Sequence, residues 1–200
     1  MASGNRFERR KQRTRREILS AAEKVLAEKG LHQVKIADIA EAADIGVGTV
    51  YLHFQTKEAL TEAVVEDTVR RLKDTIDRAR AGAASVVEQV RLSTQALCRF
   101  AEENRAVFRV VFGPGGAYHD VVRRAQALFA ADIERTLAEG VAEGVFRVAT
   151  TPAIAAQALV GMSTQLVAWW AGQDTVSIGE VEATIIDLTL RGVGRTHGGD

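Results

Sequence analysis

Apolar residues recur at helical spacing along almost the whole chain. Thr14-Arg15-Arg16-Glu17 forms a capping box, in which the hydroxyl takes a first-turn N–H and the glutamate reaches back. Ile18, Ala21, Ala22, Val25 and Leu26 then share one face, and Gly30, with Leu31 behind it, supplies a left-handed stop. Ile36, Ile39, Ala40 and Ala43 make a second short set, and Ile45, Val50, Tyr51 and Phe54 a third. Three short helices, the last two joined by a tight turn, predict a helix-turn-helix unit. A fourth helix is expected from Thr56 to about Arg80 on a stripe of Val65, Val69, Leu72 and Ile76. Glu66/Arg70, Asp67/Arg71 and Asp74/Arg78 read as a solvated, self-paired outer face.

The pattern continues over 84–104 and 105–112, breaks at Gly113-Pro114-Gly115-Gly116, and resumes over 118–139. Val145-Phe146-Arg147-Val148 is the single stretch that could be extended. Thr151-Pro152 and Ser177-Ile178-Gly179-Glu180 open two terminal helices, 152–171 and 178–194. The reading is all-α with about nine helices: an N-terminal three-helix helix-turn-helix domain joined by helix four to a C-terminal helical bundle. Its parts are a basic arm (1–12), a reading head (13–60, with helix two at 36–43 and the recognition helix at 47–53), and a ligand-binding and dimerisation body (61–200).

Each terminal helix carries two apolar stripes. Ile178, Val181, Ile185, Leu188 and Gly192 step like a coiled-coil seam, with Ile186, Leu190 and Val193 on another side. In the helix before it, Ala155, Ala158, Met162, Gln165, Trp169 and Gly172 run beside Leu159, Leu166 and Trp170. Packing this pair on its own body and on the same pair of a second chain buries all four stripes in a two-fold four-helix bundle. The proposed dimer interface is Ala155, Ala158, Leu159, Ile178, Val181, Ile185 and Leu188. The alternative is a monomer whose own core takes both stripes.

Composition narrows the function. The 200 residues are 46% hydrophobic and 26% charged, an ordinary globular mix that excludes disordered and collagen-like chains. The single Cys98 excludes an internal disulfide and a cysteine-based metal site, and a basic, polar N-terminus without a signal peptide makes the cytoplasm the expected compartment. The uncharged run between Arg147 and Asp174 raises a membrane span, but Gln157, Ser163, Thr164 and Gln165 interrupt it and no Lys or Arg anchors flank it, so no membrane partner is expected. Net charge is zero, yet Arg6, Arg9, Arg10, Lys11, Arg13, Arg15 and Arg16 face only Glu8 at the N-terminus. A basic arm on a mildly acidic body suggests a polyanion at one end, or else a solvated tail.

The run from Ile36 to Leu60, with Gly46-Val47-Gly48-Thr49-Val50-Tyr51-Leu52-His53-Phe54 and Lys57-Glu58-Ala59-Leu60, resembles the DNA-binding segment of the TetR family of bacterial transcriptional repressors. The resemblance is close over 13–60. It implies an all-helical homodimer, a helix-turn-helix reading a palindromic operator in double-stranded DNA, and a C-terminal pocket where a small-molecule effector alters the spacing of the two heads. Ile45, Val50 and Phe54 provide a packed back, while Gly48 and Thr49 give a low front that can enter a major groove. Tyr51 and His53 are placed to bond phosphates, and Lys57 opposes the macrodipole of its own helix, which makes sense beside an anion. Gly46, Val47 and Lys35 depart from the family's usual polar residues. Apolar thymine contacts, phosphates and DNA shape are therefore expected to carry more of the specificity, with Lys35 a candidate phosphate contact.

In the body, the candidate pocket is Phe100, Phe108, Phe112, Tyr118, Phe129, Met162 and Trp169, with Arg105, Gln165 and His119 as polar groups to orient a flat apolar ligand. No cofactor or metal is expected. The four histidines have no metal spacing, and no nucleophile motif or phosphate-binding glycine loop appears, which argues against an enzyme. Zero net charge argues against a non-specific DNA-packaging protein.

Overall fold

The computed structural model describes residues 2–112 and 119–193. Among these residues the chain forms nine helices and no strand: α1 (Ala2–Gln33), α2 (Ile36–Ala42), α3 (Val47–His53), α4 (Lys57–Arg80), α5 (Val86–Glu103), α6 (Arg105–Phe112), α7 (His119–Ala142), α8 (Pro152–Ala171) and α9 (Ile178–Val193). They form two compact units, Met1–Thr68 and Val69–Asp200.

The N-terminal unit differs from expectation at the start of its first helix. α1 begins at Ala2, so the Thr14 capping box lies inside a continuous helix, with Arg13 Nε donating to Glu17 Oε1 at 2.8 Å. The cause is upstream sequence: Arg, Lys, Gln and Glu are good helix formers, and no proline interrupts them. At the other end the expected break is present: Gly30 has φ 71° and ψ 163°, a non-helical conformation essentially reserved for glycine, and a further helical turn follows it to Gln33. Ile18, Ala22, Val25 and Leu26 of α1 bury against Ile39 and Ala40 of α2, Val50 of α3, Phe54, and Leu60 and Val64 of α4.

In the C-terminal unit, α7 packs along α8 and α5 along α9. One cluster joins Leu72 and Ile76 of α4, Ala96, Cys98 and Phe100 of α5, Phe108 of α6, Val167 and Trp170 of α8, and Val181 and Ile185 of α9. Another joins Val86, Leu137, Phe146, Ala156 and Val193. Thr151 and Ser177 cap the helix starts where the sequence places them, with Ile154 N–H donating to Thr151 Oγ1 at 3.4 Å and Ser177 exchanging bonds with Glu180, and Ser85 adds a third cap, accepting from Glu88 N–H at 3.2 Å. The 145–148 stretch is a hook that buries Phe146. Phe146 lies so close over Gly140 that a Cβ there would sit 2.2 Å from the ring, and Arg147 N–H donates to the Val193 carbonyl at 2.6 Å.

Two expectations about α4 and α9 need correction. α4 is not simply a solvated, self-paired face: Arg71 turns to Asn104 Oδ1 at 3.5 Å and stands 5.7 Å from the Phe100 ring centroid. Lys73 and Arg80 reach Asp132 of α7 at 3.0 and 3.5 Å, and both also pair with Asp77. These ion pairs occupy the otherwise unbonded, buried Asp77 Oδ1 and Asp132 Oδ2. On α9, Val181 and Ile185 are 3% and 2% exposed within a single chain, so two of the five seam positions drawn from spacing belong to the chain's own core.

Candidate functional site

The reading head is built from ties that leave one helix face bare. α2 is fixed to α1 by Asp38, whose Oδ1 pairs with Lys29 Nζ at 2.9 Å and whose Oδ2 accepts from Lys35 N–H at 3.0 Å. The hydrogen bond from Lys29 and then that from the Lys35 N–H hold its carboxyl below the usual carboxylate range. Lys35 thus caps α2 through its backbone, leaving its ammonium on the surface. The following turn is closed by Asp44 N–H to Glu41 O and Ile45 N–H to Ala40 O, both 3.0 Å. Asp44 takes φ 53° there, a conformation that aspartate tolerates better than branched residues do.

Gly46 caps α3 without a side chain, and Thr49 N–H donates to its carbonyl at 2.8 Å. Behind α3, Val50 is fully buried and Phe54 is 3% exposed. In front, Gly48 is open, and Val47, Tyr51 and Leu52 are 42%, 49% and 83% exposed. Tyr51 is therefore a surface residue, as its phosphate-contact reading requires; Thr49 and His53 are half-buried beside it. The Arg15 guanidinium lies 4.3 Å from the Phe54 ring centroid, at the C-terminal end of α3. Burial, then the positive charges of Lys11 and Arg15, push the His53 imidazole below its ordinary value. Lys57 is half-buried at the start of α4, where Thr56 Oγ1 accepts from Ala59 N–H at 3.0 Å. Sequence reading missed Leu52, although its i+4 spacing from Gly48 places it on the same bare face.

The expected pocket residues divide three ways. Phe100 and Phe108 are core, and Phe129 and Met162 pack against the same cluster. Trp169 and Gln165 do not join them: both are exposed on the outer side of α8, while Trp170 is the inward tryptophan and donates Nε1–H to Val176 O at 3.1 Å. Arg105 is not available to orient a ligand. Its guanidinium donates to the carbonyls of Ala171 and Trp170, each at 3.3 Å, and of Gln173, and it stands 4.6 Å from the Trp170 ring centroid, so it closes the C-terminus of α8. The Phe112 side chain, Tyr118 and the His119 side chain lie outside the described residues, as does the glycine-proline break.

The interface residues also divide. Leu188 and Ala158 are exposed, Ala155 and Leu159 pack partly against the chain's second cluster, and Ile178 packs against the first. Cys98 is buried, and burial, with the Glu182 charge adding, raises its thiol to about 12. Among the described residues no group of acids, histidines and cysteines could hold a metal, and no helix is long and apolar enough to cross a membrane.

Comparison with known proteins decides the lineage. Residues 18–64 match the family of bacterial regulatory proteins named for TetR, and residues 83–193 match the tetracyclin repressor-like C-terminal domain. The chain belongs to the TetR family. Members of this family are regulators of transcription with an N-terminal helix-turn-helix, not enzymes. Over 68 residues, 34% of this chain and 32% of the relative, the protein is 37% identical to the transcriptional regulator TtgR of Pseudomonas putida; the match spans about a third of that protein. The fatty acid degradation regulator FadR of Bacillus halodurans superposes with a TM-score of 0.79 at 22% identity, over 88% of this chain and 94% of that one. FadR of Bacillus subtilis in complex with stearoyl-CoA gives a TM-score of 0.77 at 19% identity, over 88% and 97%. These two likenesses establish a TetR-family fold along most of the chain.

Proposed function

We propose that the protein is a ligand-responsive transcriptional repressor that binds a palindromic operator as a homodimer and is released by a small, largely apolar effector. The observation that carries this reading is the α3 face: a seven-residue helix packed from behind by Val50 and Phe54 and bare in front, with Lys11 and Arg15 near its end. Phosphate contacts fall to Lys35, Tyr51, His53, Lys57 and the basic start of α1.

A second copy is proposed to cover the outer face of α8, where Ile154 and Trp169 are 60% and 46% exposed and the small Ala158 and Gly161 lie between them, together with Leu188 of α9. Two-fold pairing puts two recognition helices on two half-sites. The effector is proposed to enter among Phe100, Phe108, Phe129 and Met162, and the stearoyl-CoA held by a structural neighbour makes acyl thioesters the first compounds to try. The test is fluorescence anisotropy with DNA from upstream of the encoding gene and of its divergent neighbour. Saturable binding to one palindrome that acyl-CoA reverses, beside weak binding to random DNA, is the expected result. Equal affinity for both DNAs rejects the operator reading.

A further inference from the structure

We infer that Leu52, with Val47 at the other edge of the same exposed arc, reads thymine 5-methyl groups in the major groove, so that the operator is recognised chiefly through apolar contact on this helix. The inference rests on the DNA-reading role proposed above and specifies its chemistry.

A leucine left 83% exposed in a seven-residue helix stands beside two more exposed apolar side chains, Val47 at 42% and Tyr51 at 49%. The spacing makes these residues one surface. Leu52 follows Gly48 by four positions and Tyr51 follows Val47 by four; at about 100° per residue Val47, Tyr51, Gly48 and Leu52 fall in that order across an exposed arc of about 140°, with Gly48 and Leu52 opposite buried Val50 and Val47 at the far edge. Helical side chains lean toward the N-terminus, which carries the Leu52 methyls over the turn that holds Gly48. Gly48 has no side chain, and nothing lies within 4 Å of the position a Cβ would occupy, so this turn can approach a base edge closely and bring leucine with it.

What the face lacks is equally specific. The bidentate pairings that read guanine and adenine need Arg, Lys, Asn or Gln, and positions 47–52 contain none. Thr49 is the one hydroxyl within that stretch besides Tyr51, and it is half-buried. The thymine methyl is the apolar group that a major groove offers. Charge selects DNA over an apolar protein partner: Lys11 and Arg15 lie near the end of α3, and α1 carries further arginines toward its start.

The experiment selects a binding site from a random duplex pool and then replaces each thymine of one half-site, singly, by deoxyuridine, which deletes only the methyl. The expected result is a loss of about fourfold at one or two positions for the wild-type protein, the worth of one buried methyl-sized group. Leu52→Ala should bind the thymine and deoxyuridine duplexes alike at such a position, with an unchanged melting temperature because the side chain is exposed. An enriched site whose affinity is unaffected by deoxyuridine at every position overturns the inference while leaving the operator reading intact. Retention of the full thymine preference by both Leu52→Ala and Val47→Ala also overturns it. A pool that enriches no sequence overturns the DNA-reading role, and the inference with it.

Discussion

Trp169 gives the sharpest test of how two chains would meet. Its side chain is 46% exposed, whereas its neighbour Trp170 is 2% exposed. A tryptophan buries about 150–250 Å² when covered, so about 100 Å² stays open on each copy. At about 25 cal/mol per Å² that surface is worth about 2.5 kcal/mol, and a two-fold interface counts it twice. Trp169→Ala should therefore weaken a dimer by about 5 kcal/mol, between three and four decades in dissociation constant. The folded single chain should lose about 2.5 kcal/mol as well, because the other half of the side chain is covered within its own chain, so the dimer is compared under conditions where both proteins remain folded. Ile185→Glu is the contrast: at 2% exposure it should unfold the C-terminal unit rather than separate two intact chains. Sedimentation velocity over a wide concentration range, with circular dichroism alongside, distinguishes these outcomes. If Trp169→Ala and Leu188→Glu both sediment as wild type at every concentration, the outer face of α8 and α9 is not where the copies join.

Three further outcomes follow from local geometry. Gly140→Ala should cost about 1–3 kcal/mol in urea unfolding, because its Cβ would lie 2.2 Å from the Phe146 ring and the hook over residues 145–148 must move. Asp38 has a depressed pKa when folded, so its contribution is present above about 3.9, the unfolded value, and is lost as pH falls through the lower folded value; Asp38→Asn should flatten that part of the acid dependence of stability, read by urea midpoints against pH. Deleting residues 2–12 removes Arg6, Arg9, Arg10 and Lys11 and should reduce the salt slope of DNA binding by about 0.9 for each phosphate that these cations neutralise, whereas an unchanged slope would assign that stretch of α1 no part in binding.

Helix order was legible because each element carries both a stripe and a stop: Thr151 and Ser177 cap helices whose bounds the spacing already indicates. The reading head was legible for the same reason, with Val50 and Phe54 inward and Gly48 outward. Spacing does not say which of two stripes faces the chain's own body. Val181 and Ile185 therefore read as a seam although α5 covers them, and Trp169 read as pocket although its neighbour Trp170 turns inward. Arg105 and Asp132 escaped for another reason. Their partners lie 65–68 and more than fifty residues away, and only the fold brings the C-terminal carbonyls of α8 to one and the cations of α4 to the other.

The buried thiol has a practical consequence. Cys98 is enclosed in the C-terminal core with its ionisation pushed to about 12, so at neutral pH almost none is thiolate and alkylating reagents have little to attack. The natural chain is thus already a silent background for site-directed labelling. A cysteine placed at exposed Leu128 or Gln55 would carry a fluorophore or spin label alone, with Cys98 left in place. One label at each position, in otherwise native protein, makes distances between two copies measurable with and without DNA or an acyl thioester.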